Sequence, residues 1–182
     1  MKKLMFFALL ALFGCKEEEP AQAVVGGAAP AIVALNAKEQ VVKLKQRPTL
    51  LTFWSSTCGM CIKELKEMQA VRPAAVDLLA INVDGVDGPT LAGFISKYGL
   101  TLPVAADQLG VTAERYRVSG TPTNYLIDGQ GKILKQKAGS LAGDELALWL
   151  NGGAPPQGAA AHSKLLALRA GMQGEECGPE QQ

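Results

Sequence analysis

The sequence predicts an α/β domain, and three observations carry that expectation. β-rich apolar runs alternate with segments whose apolar residues recur every three or four positions. Two extended runs, Thr123–Ile127 and Gly131–Lys137, flank Asp128-Gly-Gln-Gly, a hairpin signal. All seven aromatic residues beyond position 13 fall between Phe53 and Trp149, so that stretch can build a core.

Ala31–Leu35 and Gln40–Leu44 are short apolar or alternating runs and predict an N-terminal β-hairpin. Thr49-Leu-Leu-Thr-Phe-Trp54 suits a buried central strand. Residues 59–71 place Ile62, Leu65, Met68 and Val71 at three-residue spacing, with Lys63, Glu64, Lys66 and Glu67 between them. That is an amphipathic helix, stopped before Pro73. Asp77–Val83 reads as a second strand. Pro89–Tyr98 carries Leu91, Phe94, Ile95 and Tyr98 at helical spacing, with proline at its start and Gly99 after its end. Leu102–Ala105 is a short strand, Gly110–Tyr116 a short helix, and Asp144–Leu150 a closing helix with acids in its first turn.

The ends of the chain differ from this pattern. Two lysines and then ten apolar residues open the sequence, a run too short to span a bilayer, which needs about 20 residues. Residues 1–14 therefore read as a signal peptide; a buried N-terminal helix is the alternative, although no polar face interrupts the run. Leu12-Phe13-Gly14-Cys15 resembles the bacterial lipoprotein cleavage box, with Phe13 departing from the small or β-branched residue usual there. The resemblance implies a lipid on Cys15, carrying more than one acyl chain, because a single chain binds only marginally. Residues 15–29 read as a flexible linker and 30–151 as the domain. Residues 152–182 lack aromatics and predict a weakly structured tail, with room for a short helix near 160–171.

Composition excludes several function classes. Among 182 residues, 18 Lys and Arg oppose 17 Asp and Glu, which gives no electrostatic footprint for nucleic acid. A single histidine, His162, rules out a histidine-rich metal site and any triad that does not use it.

The chemistry is concentrated at Trp54-Ser-Ser-Thr-Cys58-Gly-Met-Cys61, where a strand passes into a helix. C-x-x-C also occurs as half a zinc site, but there is no second such pair and His162 lies far off in the tail, so no metal site is expected. As a structural staple the pair would close almost no loop and remove little unfolded-state entropy. It makes better sense as a couple that opens and closes. A cysteine at a helix N-terminus faces unpaired backbone N–H groups and the positive end of the dipole, which favours the attacking thiolate. Cys58 is thus the expected nucleophile. Cys61, one turn deeper, is the resolving thiol.

At these residues the sequence resembles the thioredoxin superfamily and, within it, the membrane-tethered TlpA/ResA-like thiol–disulfide oxidoreductases, over about residues 28–151. Phe53-Trp54 before the pair, Val118-Ser-Gly-Thr-Pro122-Thr and Tyr125-Leu-Ile-Asp-Gly-Gln-Gly-Lys132 carry the likeness. It implies a thioredoxin-like fold, a central mixed sheet flanked by helices with an N-terminal hairpin. The sixty-four residues from Cys58 to Pro122 leave room for the TlpA/ResA-type central insert. The resemblance also implies a cis Pro122 against the active pair, Thr121 offering its backbone to an extended substrate, and Trp54, Gly59 and Met60 at the substrate-facing rim. Thr52 stands where plain thioredoxins keep a buried Asp; in ResA-like proteins a Glu three residues after the second Cys serves instead, and Glu64 occupies that place. There it could handle the proton of Cys61; the alternative is a solvated helix residue. Thr57 replaces the usual Trp before the first Cys, and Met60 the usual Pro or His, which leaves the reduction potential open.

The expected protein is an exported, lipid-anchored thiol–disulfide oxidoreductase facing the periplasm or extracytoplasmic space. The resemblance implies a reductase of protein disulfides, often in cytochrome c maturation, recharged by a membrane electron-delivery protein. It needs no cofactor beyond the Cys58–Cys61 couple. Two rivals stand beside it: a Cu(I)-binding chaperone using Cys58, Met60 and Cys61 as soft ligands, and a non-catalytic adaptor. Cys177 is left over as either a pairing thiol or an incidental tail residue.

Overall fold

The computed structural model describes residues 21–71 and 75–151. The signal segment with Cys15, and the tail with His162, Cys177 and the helix expected near 160–171, lie outside the described residues. Six strands form one mixed sheet: β1 (Leu35–Asn36), β2 (Thr49–Trp54), β3 (Asp77–Asn82), β4 (Val104–Ala106), β5 (Thr123–Ile127) and β6 (Ile133–Ala138). Their order is β1-β4-β3-β2-β5-β6. The parallel pairs β2–β3 and β3–β4 sit at its centre, with antiparallel partners at both sides. Among the described residues four helices flank the sheet: α1 (Gly59–Val71), α2 (Gly88–Tyr98), α3 (Val111–Arg115) and α4 (Gly143–Leu150).

All six residues of β2 are buried, as its unbroken apolar and β-branched run requires of a strand covered on both faces. β6 alternates between buried and exposed, as befits a strand nearer the margin. The Asp87 side chain caps α2 by accepting from the Thr90 amide at 2.9 Å, and Gly99 ends it in the left-handed conformation at φ 62°.

Three expectations change in the structure. The N-terminal hairpin is present but short, closed by backbone bonds from the Asn36 amide to Gln40 O at 2.9 Å and from the Val42 amide to Ala34 O at 3.0 Å. Asn36 Oδ1 accepts from the Lys38 and Gln40 amides at 2.9 and 3.0 Å, and Leu35 bridges Val41. Only Leu35–Asn36 form a strand, and they join the sheet by pairing with β4. A side chain that closes the turn on its own backbone leaves little length for a ladder.

The segment expected as part of a free linker is stitched down from Gln22 onward. The Ala23 amide donates to Arg115 O at 2.8 Å, Gly26 to Ile133 O at 2.8 Å, and Ala29 to Gly131 O at 2.7 Å. Its small residues let this backbone approach Gly131–Ile133 and cover the start of β6, so a composition typical of a spacer serves as a partial edge cover.

The buried stripe of α1 is also rotated from the one expected. Cys61, Glu64, Leu65 and Met68 face inward, Ile62 is half-buried and Val71 is 55% exposed. An apolar periodicity cannot count a carboxylate as a core residue, and here one is.

Candidate active site

Cys58 and Cys61 meet where β2 hands the chain to α1. Ser55 to Cys58 make a turn, with the Cys58 amide donating to Ser55 O at 3.2 Å and Ser55 Oγ lying 3.0 Å from Thr57 Oγ1. The two cysteines are joined in a disulfide with Cα atoms 5.2 Å apart. Their settings differ. Cys58 is half-buried, whereas Cys61 is fully buried among Trp54, Leu65 and the rest of that core. The Cys61 amide donates to Cys58 Sγ at 3.1 Å, so a backbone donor already points at the sulfur that would carry negative charge.

Thr121 and Pro122 come to the pair from the start of β5. The Thr121–Pro122 bond is cis, and the Thr121 carbonyl oxygen lies 3.7 Å from Cys58 Sγ. Gly59 and Met60 are exposed beside them, Met60 at 57%. Trp54 is a correction. It is fully buried and packs edge-on against Phe94 and Tyr98, with ring centroids 6.4 Å away in each case. It supports the site from behind and presents no surface to a substrate.

Glu64 is 1% exposed, not solvated, and its Oε2 accepts from the Leu141 amide at 2.8 Å. Burial pushes its carboxyl above the ordinary 4.5, against the opposing pull of Ser140, the Leu141 amide, Asn124 and the Lys137 charge. Its neighbours form a polar seam. Thr52 Oγ1 donates to Asn124 Oδ1 at 2.8 Å, and Asn124 Nδ2 donates to Gly139 O at 3.1 Å. The Gly139 amide in turn donates to Pro122 O at 2.8 Å. The loop 139–141 thereby touches both the proline segment and the buried carboxylate.

Sequence reasoning missed Asn124, Asp84 and Tyr98. Asp84 Oδ2 accepts from the Ser56 amide at 2.7 Å and from Asn82 Nδ2 at 2.9 Å. Burial alone would raise the Asp84 carboxyl, but hydrogen bonds from Ser55, Asn82 and Ser56 outweigh it and hold it below its ordinary 3.8. The Tyr98 hydroxyl donates to Ser56 O at 2.9 Å. A signal for Asp84 existed. In the parallel register Trp54 pairs with Asn82, so residue 84 leaves β3 beside residue 56 leaving β2.

Comparisons with known proteins agree with this geometry. The model of the AhpC/TSA family matches residues 25–136. Thiol-disulfide oxidoreductase ResA of Oceanobacillus iheyensis is 31% identical over 144 residues, 73% of this chain and 74% of the relative. Sporulation thiol-disulfide oxidoreductase A of Bacillus subtilis is 28% identical over 156 residues, 80% of this chain and 92% of the relative. The crystal structure of StoA from Bacillus subtilis matches with a TM-score of 0.57 at 26% identity, covering 66% of this chain and 96% of that one. A cysteine pair opening a helix against a cis-proline, on a sheet shared with these proteins, leaves one assignment: the chain belongs to the AhpC/TSA family of the thioredoxin superfamily and, within it, to the ResA-like thiol–disulfide oxidoreductases.

Proposed function

We propose that the protein is a reductase of protein disulfides in the cell envelope, held to the membrane through a lipid on Cys15 and recharged there by a membrane electron-delivery protein. The observation that carries the reading is the asymmetry of the pair, an accessible Cys58 beside the Thr121–Pro122 segment and a fully buried Cys61. The Cys58 thiolate attacks one sulfur of a substrate disulfide; the new S–S bond forms as the old one breaks and the first substrate thiolate leaves. Cys61 then attacks Cys58, which releases the second substrate thiolate and regenerates the bridge. Two electrons pass from the dithiol to the substrate, with no other cofactor in the scheme. Thr121 offers backbone to the extended substrate, and exposed Gly59 and Met60 form the rim it crosses. Glu64 handles the proton of Cys61, its charge being sensitive to its burial. Apocytochrome c is a substrate class consistent with the family likeness.

The first test is trapping. Cys61→Ser in the reduced, full-length protein should accumulate mixed disulfides with envelope proteins through Cys58, seen as reducible high-mass species. No such species, with Cu(I) retained stoichiometrically against a chelator, would replace this reading with copper carriage. The potential of the couple decides direction: near about −270 mV it reduces, and near about −120 mV it oxidises.

A further inference from the structure

We propose that Asp84 and Tyr98 are positioning residues for disulfide exchange: together they grip both backbone polar groups of Ser56 and so fix the turn that presents Cys58. The proposal rests on Cys58 being the attacking cysteine.

The Ser56 N–H donates to Asp84 at 2.7 Å, and the Ser56 carbonyl accepts from the Tyr98 hydroxyl at 2.9 Å. Ser56 stands two residues before Cys58, inside the only stretch of backbone that joins β2 to α1. The two grips come from different elements. Asp84 follows β3, and is itself steadied by Asn82, whose Nδ2 donates to Asp84 Oδ2 at 2.9 Å and whose Oδ1 accepts the Asp84 amide at 3.1 Å. Asn82 is fully buried, so this anchor is not a surface accident. Tyr98 closes α2, and its ring packs edge-on against Trp54, the last residue of β2. The α2 segment thus holds the active loop twice, through the Trp54 ring and through the Ser56 carbonyl.

A turn that must place a sulfur against a substrate disulfide gains rate from being held in one geometry. Without its two side-chain partners, Ser56 keeps only water to satisfy its backbone, and the turn loses the restraint on its direction. One hydrogen bond of this kind is worth about a factor of five in a rate or equilibrium, on the usual scale of about 1 kcal/mol.

The test uses the full-length protein with its disulfide intact or reduced, and four variants. Tyr98→Phe keeps the ring and removes one donor; Asp84→Ala removes one acceptor; Asp84→Asn keeps an oxygen in its place; Cys58→Ser is the control for the assignment beneath the proposal. The readouts are the rate at which the reduced protein attacks insulin disulfides and its equilibrium with glutathione. Tyr98→Phe and Asp84→Ala should each slow the attack about three- to tenfold and move the couple toward the dithiol. Asp84→Asn should recover most of what Asp84→Ala loses. A merely structural role would lower unfolding stability and leave the glutathione equilibrium in place. If Asp84→Ala fails to fold, Tyr98→Phe decides. Rates and equilibria of Tyr98→Phe matching the parent overturn the proposal, as does an Asp84→Asn as impaired as Asp84→Ala, which would assign the effect to charge. Exchange that survives Cys58→Ser overturns instead the assignment on which it stands.

Discussion

The two faces of the sheet are built by the same strands and filled in different ways. Leu50 and Trp54 of β2 point into a core with Cys61, Leu65 and Met68 of α1 and Leu146, Trp149 and Leu150 of α4. Buried with them are Thr52, Glu64 and Asn124, each tied to a partner at 2.8 to 3.1 Å. Leu51 and Phe53 point the other way, into a core with Ile81, Tyr116, Tyr125 and the apolar residues of the N-terminal segment. There Phe53, Tyr116 and Tyr125 form a triad with ring centroids 5.1 to 6.1 Å apart. Buried polar groups are costly unless hydrogen-bonded, and on this face they include a carboxylate, Glu64, one helical turn from Cys61. One face thus carries Cys61 and Glu64, and the other holds the N-terminal segment through Ala23, Ile32 and Ala34.

The sharpest way to break that division is to damage the aromatic face. Phe53 is fully buried and neighbours Trp54, yet its ring lies on the side away from the cysteines. Phe53→Ala should lower the unfolding free energy by about 3–5 kcal/mol, measured by urea unfolding of the oxidised protein. The folded fraction should keep the parent's equilibrium with glutathione. A displaced equilibrium would mean that the faces are coupled through β2.

Glu64→Gln tests the chemical face through its own charge. The folded protein holds the Glu64 proton more tightly than the unfolded chain does, because burial penalises the carboxylate. Between the ordinary value of 4.5 and the higher folded value, the native state binds more protons than the unfolded one, so stability falls as pH rises through that window. Below it the penalty is absent; above it the penalty is complete and level. Gln keeps an oxygen for the Leu141 amide and never ionises. The variant should therefore gain on the parent in urea unfolding as pH is raised from 4.5 through the range in which Glu64 ionises in the folded protein, by one proton's dependence at most. A stability difference unchanged across that range would show that the carboxylate is not penalised.

How legible the two faces were in the sequence follows from the same contrast. β2, β5 and both long helices were readable because apolar spacing, Gly99 and Pro89 report local backbone preference. The cysteine pair and Pro122 were readable because their chemistry is carried in the motif. The orientation of α1 was not, since Glu64 is buried by contacts to Leu141 and its surroundings 77 residues away. The role of 22–29 was equally hidden: nothing local distinguishes a Gly- and Ala-rich spacer from one that pairs with the start of β6. Asp84 and Tyr98 reach Ser56 across 28 and 42 residues, and only the register of β2 with β3 and the packing of α2 bring them there.

The smallest expected effect tests the anchorage itself. The Tyr116 hydroxyl is buried and donates to Pro30 O at 2.9 Å, while the Tyr116 carbonyl accepts from the Tyr125 hydroxyl. Together they tie the N-terminal segment to the aromatic face, beside the Ala23 bond to Arg115. Tyr116→Phe keeps the ring packing and leaves the Pro30 carbonyl without its donor. The loss should be about 1–2 kcal/mol in urea unfolding, below that of Phe53→Ala because no cavity opens. Hydrogen exchange should quicken at Ala23, Gly26 and Ala29, whose amides depend on the segment staying down. Amides in α1 should exchange as before. Faster exchange at Cys61 or Ile62 would show that the anchoring face also steadies the reacting one, and the division between them would have to be redrawn.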